Sequence, residues 1–189
     1  NRHFLILALL FCSFSSVGQQ GELGNWIMYF GQNKVSDKWS LHTEAQYRNH
    51  QVSPNTIEQL LLRTGMNYHF ASNAFVTLGY GYIAGHAFES EQTHPESEEH
   101  RIWQQFIVTN QLSRLKLEHR YRIEQRWVNQ DYRNRFRYRI MAFIPLNKPK
   151  IEEGSFFLGL YDEIFINDEQ LFFDRNRLYG AVGYQLTKE

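Results

Sequence analysis

"RLKLEHRYRIEQRWVNQDYRNRFRYRIMAF", Arg114 to Phe143, crowds arginines into two runs in a chain whose 20 basic and 20 acidic residues cancel. An apolar residue follows almost every one of those arginines, and the spacing is two. Leu115, Leu117, His119, Tyr121, Ile123 and Trp127 share one parity, opposite Lys116, Glu118, Arg120, Arg122, Glu124 and Arg126. In the second run Phe136, Tyr138, Ile140, Ala142 and Ile144 oppose Arg133, Arg135, Arg137 and Arg139. A helix, at 3.6 residues per turn, would spread these charges around its circumference. A strand sends successive side chains to opposite faces and sorts them completely.

The same alternation runs outward along the chain. In "KWSLHTEAQYRNH" (38–50), Trp39, Leu41, Thr43, Ala45 and Tyr47 oppose Ser40, His42, Glu44, Gln46 and Arg48. The pattern predicts nine strands, near 24–33, 38–49, 58–70, 74–85, 100–112, 115–127, 133–145, 155–167 and 176–187. Most reach ten residues or more, where strands of soluble domains run to about five or six, and roughly 9–11 tilted residues cross a bilayer. "VSD", "ASN" and "LSRL" read as tight turns, whereas 50–57, 86–99 and 167–175 are longer and polar, a segregation typical of membrane barrels. "PLNKPKIEEG" is long for its side. Trp26, Trp39, Tyr47, Tyr68, Phe70, Tyr82, Trp127 and Tyr184 fall at strand ends, as interfacial aromatic belts do.

Composition agrees with two-faced strands. Aromatics make up 16% of a chain whose mean hydropathy is only −0.52. The start, "NRHFLILALLFCSFSSVGQQ", has a short basic region, an apolar run from Phe4 to Phe14 and small residues at Ser16-Val17-Gly18, so 1–18 is expected to be a signal peptide. The single cysteine, Cys12, lies within it, and the bulk of Phe11 argues against a lipid anchor. Residues 19–189 would form one disulfide-free domain, which suits a Gram-negative envelope protein. The resulting expectation is an all-β, antiparallel transmembrane β-barrel in the bacterial outer membrane. The alternative is a soluble periplasmic β-barrel or sandwich that packs its apolar face inward.

In the barrel, the arginine parity faces the lumen. The two arginine runs place Lys116, Arg120, Arg122, Arg126, Arg133, Arg135, Arg137 and Arg139 there against Glu118 and Glu124 only. Glu44, Glu58 and Glu163 are the expected partners across a narrow interior. Gly79, Gly81, Gly159 and Gly183 share the inward parity and are expected to leave room for long arginine or tyrosine side chains.

Several blocks carry a resemblance: "GNWIMYFGQNKVSDKWSLHTEAQYR", "EHRIWQQ" (99–105), "RFRYRI" (135–140), "LYDEIFIN" (160–167) and "NRLYGAVGYQL" (176–186). In this order they resemble the bacterial family called domain of unknown function 2490. The resemblance implies an outer-membrane-like β-barrel without assigned activity, and supplies no catalytic residues. It also implies further strands after "GYQLTKE", for about 10–12 in all, because bacterial single-chain barrels use even numbers.

Chemistry-bearing motifs are sparse. Asp162 and Glu163 are adjacent, so a bulge or a loop-proximal position is expected there, with an internal salt-bridge role preferred to a paired-carboxylate site. "ESEQTHPESEEH" (89–100) gathers five glutamates and two histidines without a fixed ligand spacing, which reads as a solvated acidic loop before a cation site. Ser40, His42 and Glu44 form a row about 7 Å apart along one strand face, unlike a catalytic triad. "GYGYIAG" has the wrong spacing for a dinucleotide fingerprint. No catalytic, cofactor or metal residues are assigned and no nucleic-acid partner is expected. The partners expected are outer-membrane lipid and a small anion or an envelope component. The leading function is a non-enzymatic, porin-like barrel with an Arg/Glu-rich lumen, either structural and partner-binding or a narrow anion-favouring passage. An outer-membrane enzyme acting on lipid or lipopolysaccharide is the other class.

Overall fold

The computed structural model describes residues 25–51, 56–87, 95–168 and 172–187. The expected signal peptide, Cys12, the first half of the acidic loop (89–94) and both chain ends lie outside these residues, while 97–100 of that expected loop belong to a strand. Nine strands follow one another: β1 (Asn25–Lys34), β2 (Trp39–Gln51), β3 (Thr56–Ala71), β4 (Ala74–Gly85), β5 (Ser97–Leu112), β6 (Leu115–Val128), β7 (Asp131–Pro145), β8 (Phe156–Asn167) and β9 (Phe173–Tyr184). Each pairs antiparallel with its neighbour in chain order, forming a single sheet curled into a half-barrel, with no helix among the described residues. No described helix is long and apolar enough to cross a membrane.

The expected parities hold across the sheet. Arg126 lies opposite Arg133, Glu124 opposite Arg135, Arg122 opposite Arg137 and Arg120 opposite Arg139; Tyr121 opposes Tyr138 and Ile123 opposes Phe136 on the other face. Burial, however, is inverted relative to a soluble sheet. The concave face buries Glu44, Glu99, Arg101, Gln105, Arg122, Glu124, Arg135, Arg137 and Glu163. The convex face exposes Leu62, Leu78, Ile102, Ile123, Phe136, Leu160, Leu178 and Val182. Polar inside and apolar outside is the opposite of what a core facing water needs.

Several expectations change. Loop lengths segregate incompletely, because Asn129 and Gln130 make a two-residue hairpin on the long-loop side, both with positive φ (48° and 78°), as a primed turn requires. The long connection 146–155 on the opposite side is internally braced. Arg114 Nη2 donates to the carbonyl of Lys148 at 2.9 Å, and the Ser155 hydroxyl accepts from the Glu152 N–H at 2.9 Å. Aromatic pairs at both rims fit belts, with Trp39–Tyr68 rings at 4.9 Å, Phe156–Tyr184 at 4.7 Å and Trp127–Tyr132 at 5.4 Å. Trp26 is the exception. Its register partner is Arg48, and it sits on the concave side under that guanidinium at 4.2 Å.

The inward glycines have a different neighbour from the one expected. Gly65 and Gly79 lie under the fully buried indole of Trp103, and Gly183 lies under Phe157; Gly81 alone sits beneath an arginine, Arg63. A Cβ at Gly79 would overlap the indole. Gly79→Ala is therefore expected to destabilise the sheet by about 1–3 kcal/mol, measured as a lowered unfolding midpoint in detergent. An unchanged midpoint would show that Trp103 has room to move.

Candidate functional site: the inward arginine and glutamate network

Every charge in the centre of the concave face is placed there by strand parity, and the register then decides which charges meet. Glu124 on β6 is fully buried. Arg135 on β7 donates to its Oε2 through Nε at 3.0 Å and Nη2 at 2.8 Å, and Arg137 Nη1 donates to Oε1 at 2.7 Å. From its other neighbour, Arg101 Nη1 stands 3.3 Å from Oε2, while Arg122 Nη1 stands 3.6 Å from Oε1. One carboxylate thus gathers four guanidinium groups from β5, β6 and β7.

Arg137 extends the network, because its Nε also donates to Glu163 Oε1 on β8 at 2.9 Å. Arg120 Nη2 reaches that same oxygen at 2.6 Å. Glu99 on β5 receives both Nε and Nη2 of Arg126, at 2.6 and 2.8 Å, and Nε of Arg101 at 2.7 Å. Glu118 pairs with Arg139, and Arg63 Nη1 donates to Glu44 at 2.9 Å. Aromatic faces complete the packing, with Arg122 over Trp103 at 4.7 Å and Arg137 over Phe165 at 4.4 Å. Forked charge-assisted bonds of this kind are the strong class of hydrogen bond.

A neutral branch continues toward the tight-turn rim. Arg122 donates to Gln105 Oε1, Gln105 donates to Thr77, Thr77 donates to Asn67, and Asn67 Nδ2 donates to Ser40 Oγ at 3.0 Å. Ser40 Oγ also meets His69 Nε2 at 2.8 Å and accepts from Gln32 at 3.2 Å. Spacing along one strand pointed to His42 and Glu44 as neighbours of Ser40; the partner that reaches its hydroxyl comes from β3. Three hydrogen bonds saturate a serine that is also buried. This is an arrangement for a structural hydroxyl more than for a nucleophile.

The expected ladder residues divide as follows. Glu44, Glu118, Arg120, Arg122, Glu124, Arg126, Arg135, Arg137, Arg139 and Glu163 are all brought into the network. Lys116 sits at its edge, 5.6 Å above the Phe143 ring, and Arg133 is exposed at the opposite rim. Glu58 lies between Ile57 and Gln59 at a register break. Pairing runs along the sheet, mostly within a strand or between neighbours, while Arg120 on β6 reaches past β7 to Glu163 on β8 at 2.6 Å and Arg135 on β7 stands 3.6 Å from Asp174 on β9. The reason is reach: adjacent strands are about 4.8 Å apart, well within an arginine's length.

Glu99 and Arg101 were not among the expected ladder residues. Their signal was present in "EHRIWQQ", where Glu99, Arg101, Trp103 and Gln105 alternate, but the neighbouring acidic run disguised Glu99 as loop. Asp162 and Glu163 need no bulge. They occupy regular positions in mid-β8 and point to opposite faces, so they do not form a carboxylate pair. At the long-loop rim Asp168 accepts from the Asn134 side-chain amide and backbone N–H, which holds its carboxyl below the usual carboxylate range.

Donors exceed acceptors inside. The Nε of Arg63, Arg120 and Arg139, Nη1 of Arg122 and Nε1 of Trp103 are buried without a hydrogen-bond acceptor among the described residues. Removing a carboxylate should therefore cost more than removing a cation. Glu124→Gln is expected to lose about 3–5 kcal/mol of stability, because it strands several buried guanidinium groups at once. Lys116→Gln at the edge should stay within about 0.5 kcal/mol. Detergent unfolding of the two variants checks the order, and equal small losses would mean that water already screens the network.

A family model described as "Protein of unknown function (DUF2490)" matches residues 23–189. No curated protein and no solved structure matches the chain.

Proposed function

We propose that this chain, which belongs to the DUF2490 family of proteins of unknown function, is a non-enzymatic outer-membrane β-barrel protein whose interior is closed by its own charged side chains. The observation that carries the closed interior is Glu124, which has no exposed surface although it stands on the concave face of an incompletely closed sheet. Side chains alone cover it. A barrel filled in this way is a rigid structural or partner-binding element of the envelope, with outer-membrane lipid around it.

Support for the membrane comes from the convex face. Lipid offers no hydrogen bonds, so polar groups there gain by satisfying one another, as several on this face do. The amides of Gln104 and Gln125 donate to each other, at 2.9 and 3.2 Å. The His119 ring meets the Tyr138 hydroxyl at 2.9 Å, His100 meets Tyr80 at 2.6 Å, and Tyr82 donates to Glu98 at 3.0 Å. With the apolar band and the rim aromatics, these closed pairs suit a hydrocarbon surroundings and are unnecessary on a water-facing sheet.

A second reading, a narrow anion-favouring passage, is favoured by the excess of inward arginines over carboxylates. Planar bilayers separate the two. The closed interior predicts no channel steps from purified protein. Anion-selective steps that shrink in Arg135→Ala and Arg137→Ala would replace it with a passage.

The membrane placement has its own test. Cysteine at Ile140 should be labelled only by lipid-soluble reagents, and cysteine at Arg139 only by small aqueous ones. Equal aqueous labelling of both would favour a soluble periplasmic binding protein. The lipid- or lipopolysaccharide-directed enzyme finds no support in the saturated Ser40, and lipase activity abolished by Ser40→Ala would restore it.

A further inference from the structure

Several polar groups of the convex face close into pairs, but Asp162 does not. It stands midway along β8, between Leu160 and Ile164 in the outward parity, opposite Ile140 on β7 and Leu178 on β9. Its carboxylate has neither a hydrogen bond nor an ion pair among the described residues. The hydroxyl of Tyr138, a diagonal step away on β7, is already engaged by His119 at 2.9 Å. Asn176, a diagonal step away on β9, is exposed, and its side-chain amide has no described partner either. Among the described residues, strand parity puts no lysine or arginine on the convex face of any strand. Nothing on this face therefore neutralises the acid, and a second copy packed face to face would bring no lysine or arginine to it.

A carboxylate in the middle of an apolar band is unfavourable in hydrocarbon, which supplies no donor. The side chain is too short to reach a headgroup. The rim aromatic Phe156, packed on Tyr184 at 4.7 Å, lies about 20 Å back along the strand. Access to the carboxylate is open. Its diagonal neighbours toward that rim are Ala142 on β7 and Gly180 on β9, small residues of the kind that let apolar segments approach closely in a membrane. Leu178 and Val182, 77% and 70% exposed, add apolar surface beside it.

We propose that Asp162 anchors a docking surface on the convex face of β7–β9 for an apolar protein segment that presents one lysine or arginine. The cation supplies the counter-charge, Asn176 a further hydrogen bond, and Leu178 and Val182 the apolar contact. The surroundings of this face rest on the outer-membrane reading, but the two ideas fail separately. Parity labelling can hold while no segment docks, and docking through Asp162 can hold in a protein labelled from water.

The test uses the whole chain folded in non-ionic detergent. The probe is a fluorescent synthetic peptide of about 20 leucine and alanine residues with one central lysine, compared with a twin carrying leucine there. Fluorescence anisotropy should show saturable binding of the lysine peptide, about tenfold or more tighter than the twin. Asp162→Asn, a near-isosteric change on an outward position, should abolish that preference. Asp162→Lys should transfer it to a peptide with a central glutamate. Gly180→Leu keeps the charge but covers the approach, and should weaken lysine-peptide binding severalfold even if the Asp162 variants do not fold. Equal binding of the two peptides to wild-type protein, or a preference unchanged in Asp162→Asn, would leave the face to lipid and overturn the proposal. A dimer seen by sedimentation without peptide, and lost in Asp162→Asn, would put a second copy there and overturn it too.

Discussion

A carboxylate with no exposed surface remains charged only if its surroundings replace the water it has lost, and Glu124 is such a group. Desolvating one ion costs several kcal/mol. Here the replacement is four arginines drawn from three strands. That requirement reaches beyond the site. The arginines have to share one face, so β5, β6 and β7 have to alternate strictly. They also have to stand opposite Glu124 and its neighbours, so the pairing has to hold to the residue. A slip of one position would turn every arginine outward and every Ile, Phe and Tyr inward. The charged interior therefore acts as a register lock, a role better attested for buried ion networks than net stabilisation.

The same network bears on whether the concave face can conduct. An open passage needs its charges in water, where they are screened and mobile. Here Arg122, Glu124, Arg137 and Glu163 are nearly or fully covered, and Trp103 and Phe165 sit among them as flat spacers that keep the guanidinium groups apart. Gly65 and Gly79 exist in effect as the floor for Trp103. Small residues beneath a large aromatic are a packing solution and fill space that a pore would leave empty.

Much of this was legible in the sequence because a period of two is hard to mistake when one parity is arginine. Strand identity and facing follow from it, whereas the register that sets Arg122 opposite Arg137 also needs the two-residue turn at Asn129-Gln130. Partner choice was less legible. Alternation says that Glu163 and Arg137 face the same way, but not that Arg137 will bridge Glu163 to Glu124; that depends on rotamers and on Phe165 lying under the guanidinium. Glu99 was hidden by Glu96 and Glu98, since a run of acids carries no period. Ser40 and His69 are 29 residues apart, and only the β2–β3 register brings them together. Trp26 was misplaced because an aromatic at a strand end suits a rim belt as well as an inward platform.

Trp26 also marks where the rule of the other strands stops. In "NWIMYF" the inward positions of β1 are Trp26, Met28 and Phe30, and the outward ones are Ile27 and Tyr29, so both faces are apolar. Strands with that pattern are ordinarily covered on both sides, yet these five side chains are 40–67% exposed. The opposite edge, β9, leaves Leu178 and Val182 more exposed still. Both edges carry unpaired backbone groups, the feature that barrels close to avoid. Two irregularities thus coincide there: an unpaired edge and an apolar inward face on β1. Elsewhere the concave face satisfies its charges from within. At this edge Arg48 is satisfied by the amide oxygens of Gln46 and Gln59, and the apolar Met28 and Phe30 take the inward places that charged side chains hold on the other strands.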